Sequence, residues 1–253
     1  MNLLDLTGKK ALVVGAGGIG SALAVGFAQH GADVAVADRD LSKAEETAAL
    51  VRAFGCRTLA RAVDVTDEAS VTRFAAELAD LWGTPDILVN AVGIAARMPS
   101  ESMPLEKMRK TFEVNALGTF VCCRVFGGEM IRRGGGKIVN ISSVRGRYGT
   151  RGGMADYCAS KAAVDALTRA LAVEWAPQHV YVNAIAPTVV ETAFTTPILS
   201  NPKAAADLVA RIPMGRWAQP EDLVGPVLFF ASSASDYVTG QILFVDGGLT
   251  AVV

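Results

Sequence analysis

The apolar positions of this chain form short β-branched runs separated by longer stretches with helical spacing. Lys9 to Val14 reads as a strand that runs into glycines, and Ser21 to Gln29 as a helix. Asp33 to Ala37 is a second strand ending in Asp38, Leu41 to Phe54 a helix, and Arg57 to Val63 a third strand. Thr66 is placed to cap a helix that runs to Leu81, and Ile87 to Asn90 is the fourth strand. A long helix from about Leu105 to Arg133 precedes the strand Gly136 to Ser143, which ends in two hydroxyls. The apolar run Ala162 to Trp175 continues a helix, Val180 to Ala186 is the sixth strand, Pro220 begins a helix, and Gly240 to Val245 is the last strand. This alternation predicts one α/β domain over residues 1–253, a doubly wound seven-stranded parallel sheet with helices on both faces.

The turn after the first strand is Gly15-Ala16-Gly17-Gly18-Ile19-Gly20, with G-x-G-x-x-G spacing. Glycines let a backbone approach a pyrophosphate, and the following helix N-terminus offers free N–H groups and a positive dipole end. Asp38 lies eighteen residues after Gly20 at the end of the next strand, where a carboxylate accepts hydrogen bonds from adenosine ribose hydroxyls and repels a 2′-phosphate. The expected cofactor is therefore NAD. Arg39 is adjacent and could take a phosphate by swinging inward, but a solvated turn residue is the expected state.

Tyr157 and Lys161 stand four residues apart at the head of the helix that continues through Trp175, so a phenol and an ammonium share one face. A neighbouring cation favours the phenolate. Upstream, Ser143 ends a strand at the edge where open α/β sheets place their ligands, and its hydroxyl can hydrogen-bond a substrate oxygen. Asn115 falls inside a helix among Phe112, Val114, Leu117 and Phe120, where a polar residue needs a reason. Between Ser143 and Tyr157 lies a glycine-rich loop carrying Arg145, Arg147 and Arg151. Arginine suits carboxylate or phosphate recognition, so an anionic or polyhydroxylated substrate is one reading; exposed solubilising arginines are the other. Phe194 to Arg211, broken by Pro197 and Pro202, is expected to form the core of a mobile lid at about 190–215.

Composition narrows the field. The 253 residues are 51% hydrophobic and carry 24 basic against 25 acidic side chains, a net charge of −1. That balance gives no electrostatic reason to expect nucleic acid or a membrane surface as partner, so a small molecule is expected. No apolar run reads as long enough to span a bilayer and the N-terminus lacks the basic start of a secretory signal, which gives a soluble, cytoplasmic protein as the expectation. Cys56, Cys122, Cys123 and Cys158 show no metal-ligand spacing, and no metal is expected. His30 and His179 sit at turns, so a histidine mechanism is not expected.

Taken in order, the glycine-rich opening, Asn90-Ala91-Val92-Gly93, Asn115-Ala116-Leu117-Gly118, Ser143, Tyr157/Lys161 and Val245-Asp246-Gly247-Gly248 resemble the short-chain dehydrogenase/reductases over nearly the whole chain. The resemblance implies a Rossmann-type fold and reversible hydride transfer between a secondary alcohol and NAD. Tyr157 would be the base, Lys161 would lower its pKa and bind the nicotinamide ribose, and Ser143 would hold the substrate oxygen. Asn115 would widen its helix and hold a water that serves the proton relay. Asp64 and Val65 would contact adenine, while Asn90, Ala91 and Gly93 would line the cofactor beside the glycines. Pro187, Val190 and Thr192 would clamp the nicotinamide carboxamide, and Arg145 with Ser143 and Tyr157 would face the substrate.

The sequence also departs from the family pattern. The glycine loop is one residue short and lacks a threonine, a second Asn is replaced by Ala91, and Thr188 stands where glycine is usual. Within the family, the ending Gly215-Arg216-Trp217 through Gly248 looks most like the sugar-acid and polyol dehydrogenases such as gluconate 5-dehydrogenase, and relatives of that kind imply a homotetramer. A 3-oxoacyl-carrier-protein reductase is the nearest rival, which Asp38 opposes. A catalytically silent, protein-binding member of the fold is the other.

Overall fold

The computed structural model describes residues 2–150 and 152–252; Arg151 lies outside them. Seven parallel strands, β1 (Lys10–Val14), β2 (Asp33–Asp38), β3 (Thr58–Ala62), β4 (Ile87–Asn90), β5 (Gly136–Ile141), β6 (Val180–Pro187) and β7 (Ile242–Val245), form one sheet in the order β3-β2-β1-β4-β5-β6-β7. The chain order reverses between β1 and β4. Val14 is in register with both Ala37 of β2 and Asn90 of β4, so these strands end at one level and leave a crevice at the switch point, where open α/β sheets bind ligands.

The helices are α1 (Gly18–Gln29), α2 (Leu41–Arg52), α3 (Glu68–Trp82), α4 (Leu105–Phe112), α5 (Gly118–Arg133), α6 (Ala155–Trp175), α7 (Thr196–Leu199), α8 (Pro202–Val209) and α9 (Val224–Ala231). Because side chains alternate across a strand, Ala11 and Val13 of β1 pack with Leu23 and Phe27 of α1 and Val227 of α9, while Leu12 and Val14 face Phe74 and Leu78 of α3 and Phe126 and Met130 of α5. The sheet is thus covered on both faces, as the alternating pattern predicts.

Three boundaries differ from the sequence reading. Helix α1 starts at Gly18 rather than Ser21, so the glycines themselves form its first turn. Thr66 does not cap α3: Asp67 does, accepting from the Ala69 amide at 2.9 Å, whereas Thr66 donates through Nα and Oγ1 back to the Asp64 carboxylate. The long helix is two, α4 and α5, joined without a break by a wide π turn at Glu113–Leu117. Together, residues 105–133 contain a window with mean hydropathy 1.2, long and apolar enough to cross a membrane by length and composition, contrary to the sequence reading. Cys122, Cys123, Phe126 and Met130 of this helix are buried against the sheet and α3, which places it in the core.

Candidate active site

The glycine turn is built by close approach. Gly15 has φ +103°, and a Cβ there would lie 2.9 Å from the Ala91 carbonyl carbon, so the turn packs directly on the loop after β4. A Cβ on Gly20 would fall 1.7 Å from the Gly15 carbonyl oxygen. Gly17, by contrast, faces open space, and as the cap residue of α1 it provides no side chain to occupy the helix's first amides. The Asp38 carboxylate accepts from the Ala16 amide at 2.8 Å and the Asp40 amide at 3.0 Å, which fixes it beneath the turn.

Tyr157 and Lys161 lie one turn apart on α6. The Lys161 ammonium donates to the Ile141 carbonyl at 2.7 Å and sits 5.7 Å from the Tyr157 ring centroid. Burial pushes Lys161 down to about 8, and the Asp165 carboxylate works against that shift. Burial also raises Tyr157; the hydrogen bond with the Ser143 hydroxyl opposes this, as do the positive charges of Arg97 and Arg145. Lys161 is held against the Ile141 carbonyl 5.7 Å from the Tyr157 ring, and two arginines, Arg97 and Arg145, add positive charge that favours the phenolate. Ser143 donates to the Pro187 carbonyl at 3.4 Å and accepts from the Arg145 amide at 3.2 Å, so one tight turn positions both side chains.

Asn115 is fully buried in the wide turn and does not reach the cavity. Its amide group clamps the loop after β4, accepting from the Ile94 amide at 2.8 Å and donating to the Ile94 carbonyl at 2.9 Å, with a second donation to Ser160. It acts on the site through that loop. Asn90, expected beside the cofactor, instead turns inward: its side chain donates to Asn140 at 2.9 Å and to the Cys123 sulfur, while Asn140 donates on to Thr168. This buried polar ladder ties β4 to β5, α5 and α6, and it turns the Asn90 side chain away from the cavity.

One cavity of about 680 Å³ runs from the glycine turn to the lid. Of the expected residues it is lined by Gly17, Gly18, Ile19, Gly20, Ala91, Gly93, Ser143, Arg145, Tyr157, Lys161, Pro187, Val190 and Thr192. Gly15 and Asn90 lie behind it, whereas Asp38, Arg39, Asp64 and Val65 stand outside its lining. Arg39 and Asp64 are close enough to interact electrostatically, and Val65 is buried against Gly118. The lid consists of α7 and α8 with the preceding turn, where Phe194 packs 5.9 Å from the Tyr157 ring and Arg97 stacks over Phe194 at 4.4 Å.

Sequence reasoning missed Arg97, Arg211, Lys43 and Asp165. Only Asp165 left a signal, as an acid one turn beyond Lys161 in an apolar run. Thr188 lines the cavity with a buried hydroxyl that has no partner, and Gly17 leaves backbone exposed where a phosphate could approach. Together with the uncapped start of α1, this fits an elongated dinucleotide.

Residues 14–250 match the family model described as "Enoyl-(Acyl carrier protein) reductase". A crystal structure of a short-chain type dehydrogenase/reductase from Mycobacterium marinum superposes with a TM-score of 0.95 at 35% identity, covering 99% of each chain. The chain belongs to the short-chain dehydrogenase/reductase family. This is a family of nicotinamide-dependent oxidoreductases. Among its members, the 2-dehydro-3-deoxy-D-gluconate 5-dehydrogenase of Bacillus subtilis is 42% identical over 96% of this chain and 95% of its own. The NAD-dependent glycerol dehydrogenase of Listeria innocua is 38% identical over 97% and 95%.

Proposed function

We propose that the protein interconverts a secondary alcohol and a ketone on a polyol, sugar or sugar acid, using NAD. The observation that carries this is the convergence of Ser143, Tyr157 and Lys161 in one cavity with the glycine turn. In the oxidative direction the Tyr157 phenolate takes the hydroxyl proton while Ser143 donates to the same oxygen. A nicotinamide bound there would supply the acceptor for the hydride leaving the carbinol carbon. Lys161 keeps a positive charge behind the phenol and Asn115 holds the loop that borders it. Gly17 to Gly20 would receive the pyrophosphate, and Thr188 and Thr192 would face the nicotinamide end.

For NAD, the supporting feature is the fixed Asp38 carboxylate at the end of β2, a poor neighbour for a 2′-phosphate. Lys43, which lines the cavity with Gly17, supports the opposite preference. Initial rates with NAD and NADP over a panel of polyols and aldonates decide between them. A preference of at least about tenfold for NAD, erased in Asp38→Asn, is expected; turnover with NADP alone overturns the Asp38 argument. Loss of all turnover in Tyr157→Phe, with cofactor binding retained, tests the mechanism. A homotetramer is also proposed: Leu117 and Val173 are exposed on α5's approach and on α6, and Leu243 on the edge strand β7. Sedimentation velocity tests it.

A further inference from the structure

The substrate end of the cavity holds more positive charge than hydride transfer needs. Arg97, Arg145 and Arg211 all line it, and among the described residues the only carboxylate lining it is Asp207. Among the described residues none of the three arginines forms an ion pair. Arg97 is accounted for by the lid, since it donates to the Phe194 carbonyl at 2.5 Å and lies on that ring. Arg145 and Arg211 are different. Arg145 gives one N–H to the Gly149 carbonyl at 2.8 Å, and Arg211 gives its Nε to the Asp207 carbonyl at 3.1 Å, so neither guanidinium has a carboxylate partner.

The two guanidinium groups line the same end of one cavity. Burial lowers Arg145, and Arg211 adds to that lowering. Arg145 is partly buried and Arg211 is exposed at the cavity mouth, so an anion entering between them would relieve the desolvation of Arg145 and the like-charge contact together. Arg145 comes from the turn that positions Ser143 and interacts electrostatically with Tyr157, while Arg211 follows α8 on the lid. The pair therefore spans the cavity from the reacting groups to its cover.

We propose that Arg145 and Arg211 form a carboxylate site, and that the substrate is a sugar acid rather than a neutral polyol. This rests on the alcohol oxidoreductase reading above. The carboxylate would accept from both guanidinium forks and draw α8 over the cavity, so that lid closure depends on the substrate's charge.

The test compares D-gluconate and D-galactonate with D-glucitol and galactitol, measuring kcat/KM with NAD and NADP and, by titration calorimetry, binding to the NADH-loaded enzyme. Wild type, Arg145→Gln and Arg211→Gln are run side by side. The acids should be preferred at least about tenfold. Each variant should lower kcat/KM for an acid at least about tenfold more than for its neutral counterpart, mainly through KM. Equal losses on acids and polyols, or a wild-type preference for polyols, overturn the carboxylate site while leaving the dehydrogenase reading intact. If no compound is turned over, that reading fails instead, and calorimetry still decides: aldonate binding that is lost in Arg211→Gln supports the site, and no aldonate binding overturns it.

Discussion

The Ser142 hydroxyl donates to the Asp165 carboxylate at 2.5 Å, one helical turn beyond Lys161. Burial raises Asp165, and the Ser142 bond, Arg169 and Lys161 oppose that shift. The carboxylate in turn favours the charged form of Lys161. Asp165→Asn removes this support, so Lys161 loses its proton at lower pH. The high-pH limb of the kcat/KM profile should move down by about 0.5–1 pH unit, with KM for the cofactor little changed. An unshifted profile would show that Asp165 serves packing alone.

Lys161 also leaves a mark on stability. Its folded value of about 8 lies below the ordinary 10.5, so between those values the unfolded chain holds a proton that the folded chain has released. The burial penalty is present in full below about pH 8 and is relieved as pH climbs towards 10.5. Stability of the wild type relative to Lys161→Met should therefore improve by about 2 kcal/mol between pH 7 and pH 10. Urea unfolding of both proteins at the two pH values measures this double difference, and a constant gap would contradict it.

Arg97 holds the lid residue Phe194 against Tyr157 and also favours the Tyr157 phenolate. Arg97→Gln loses the charge and the stacked cation. The low-pH limb of the oxidation rate should move to higher pH, and KM for the alcohol should rise about tenfold. Arg97→Lys should restore the limb more than the KM, because a lysine keeps the charge without the planar fork.

At Gly15 a side chain meets two obstacles, a φ of +103° and the Ala91 carbonyl carbon at 2.9 Å. Gly15→Ala should cost about 1–3 kcal/mol in unfolding free energy and weaken cofactor binding, since the loop after β4 must retreat. Gly17→Ala, which meets nothing, should leave stability within about 0.5 kcal/mol and affect only cofactor affinity. Thermal unfolding with and without cofactor separates the two.

What the sequence made legible was local in the chain. Tyr157 and Lys161 are one turn apart, and the glycine turn lies between a strand and a helix, so spacing alone placed them. The parallel sheet and its two covered faces followed from alternation, while the strand order β3-β2-β1-β4-β5-β6-β7 came only with the structure. What remained hidden depends on contacts between distant segments. Asn90 reads as the end of a strand lining the cofactor, but its partner Asn140 is fifty residues away on β5 and pulls the side chain inward. Arg97 and Arg211 gave no signal in the sequence because the loop after β4 and the lid, which bring them to the cavity, are far apart in the chain. The Thr66 cap was misplaced by one residue because Asp64, Thr66 and Asp67 offer competing oxygens within one turn, and local hydrogen bonding decided between them.

The wide turn at Glu113–Leu117 stores one residue more than a regular helix would need. Losing any one of those five positions would let α4 and α5 fuse into an ordinary helix, with hydrogen bonding improved and the core nearly intact. The same loss would remove the widened turn that carries Asn115 to the Ile94 main chain. A single-codon deletion is thus a route by which a lineage could keep this fold folded while silencing its chemistry, and chains lacking that residue would be ones in which the scaffold has outlived the enzyme.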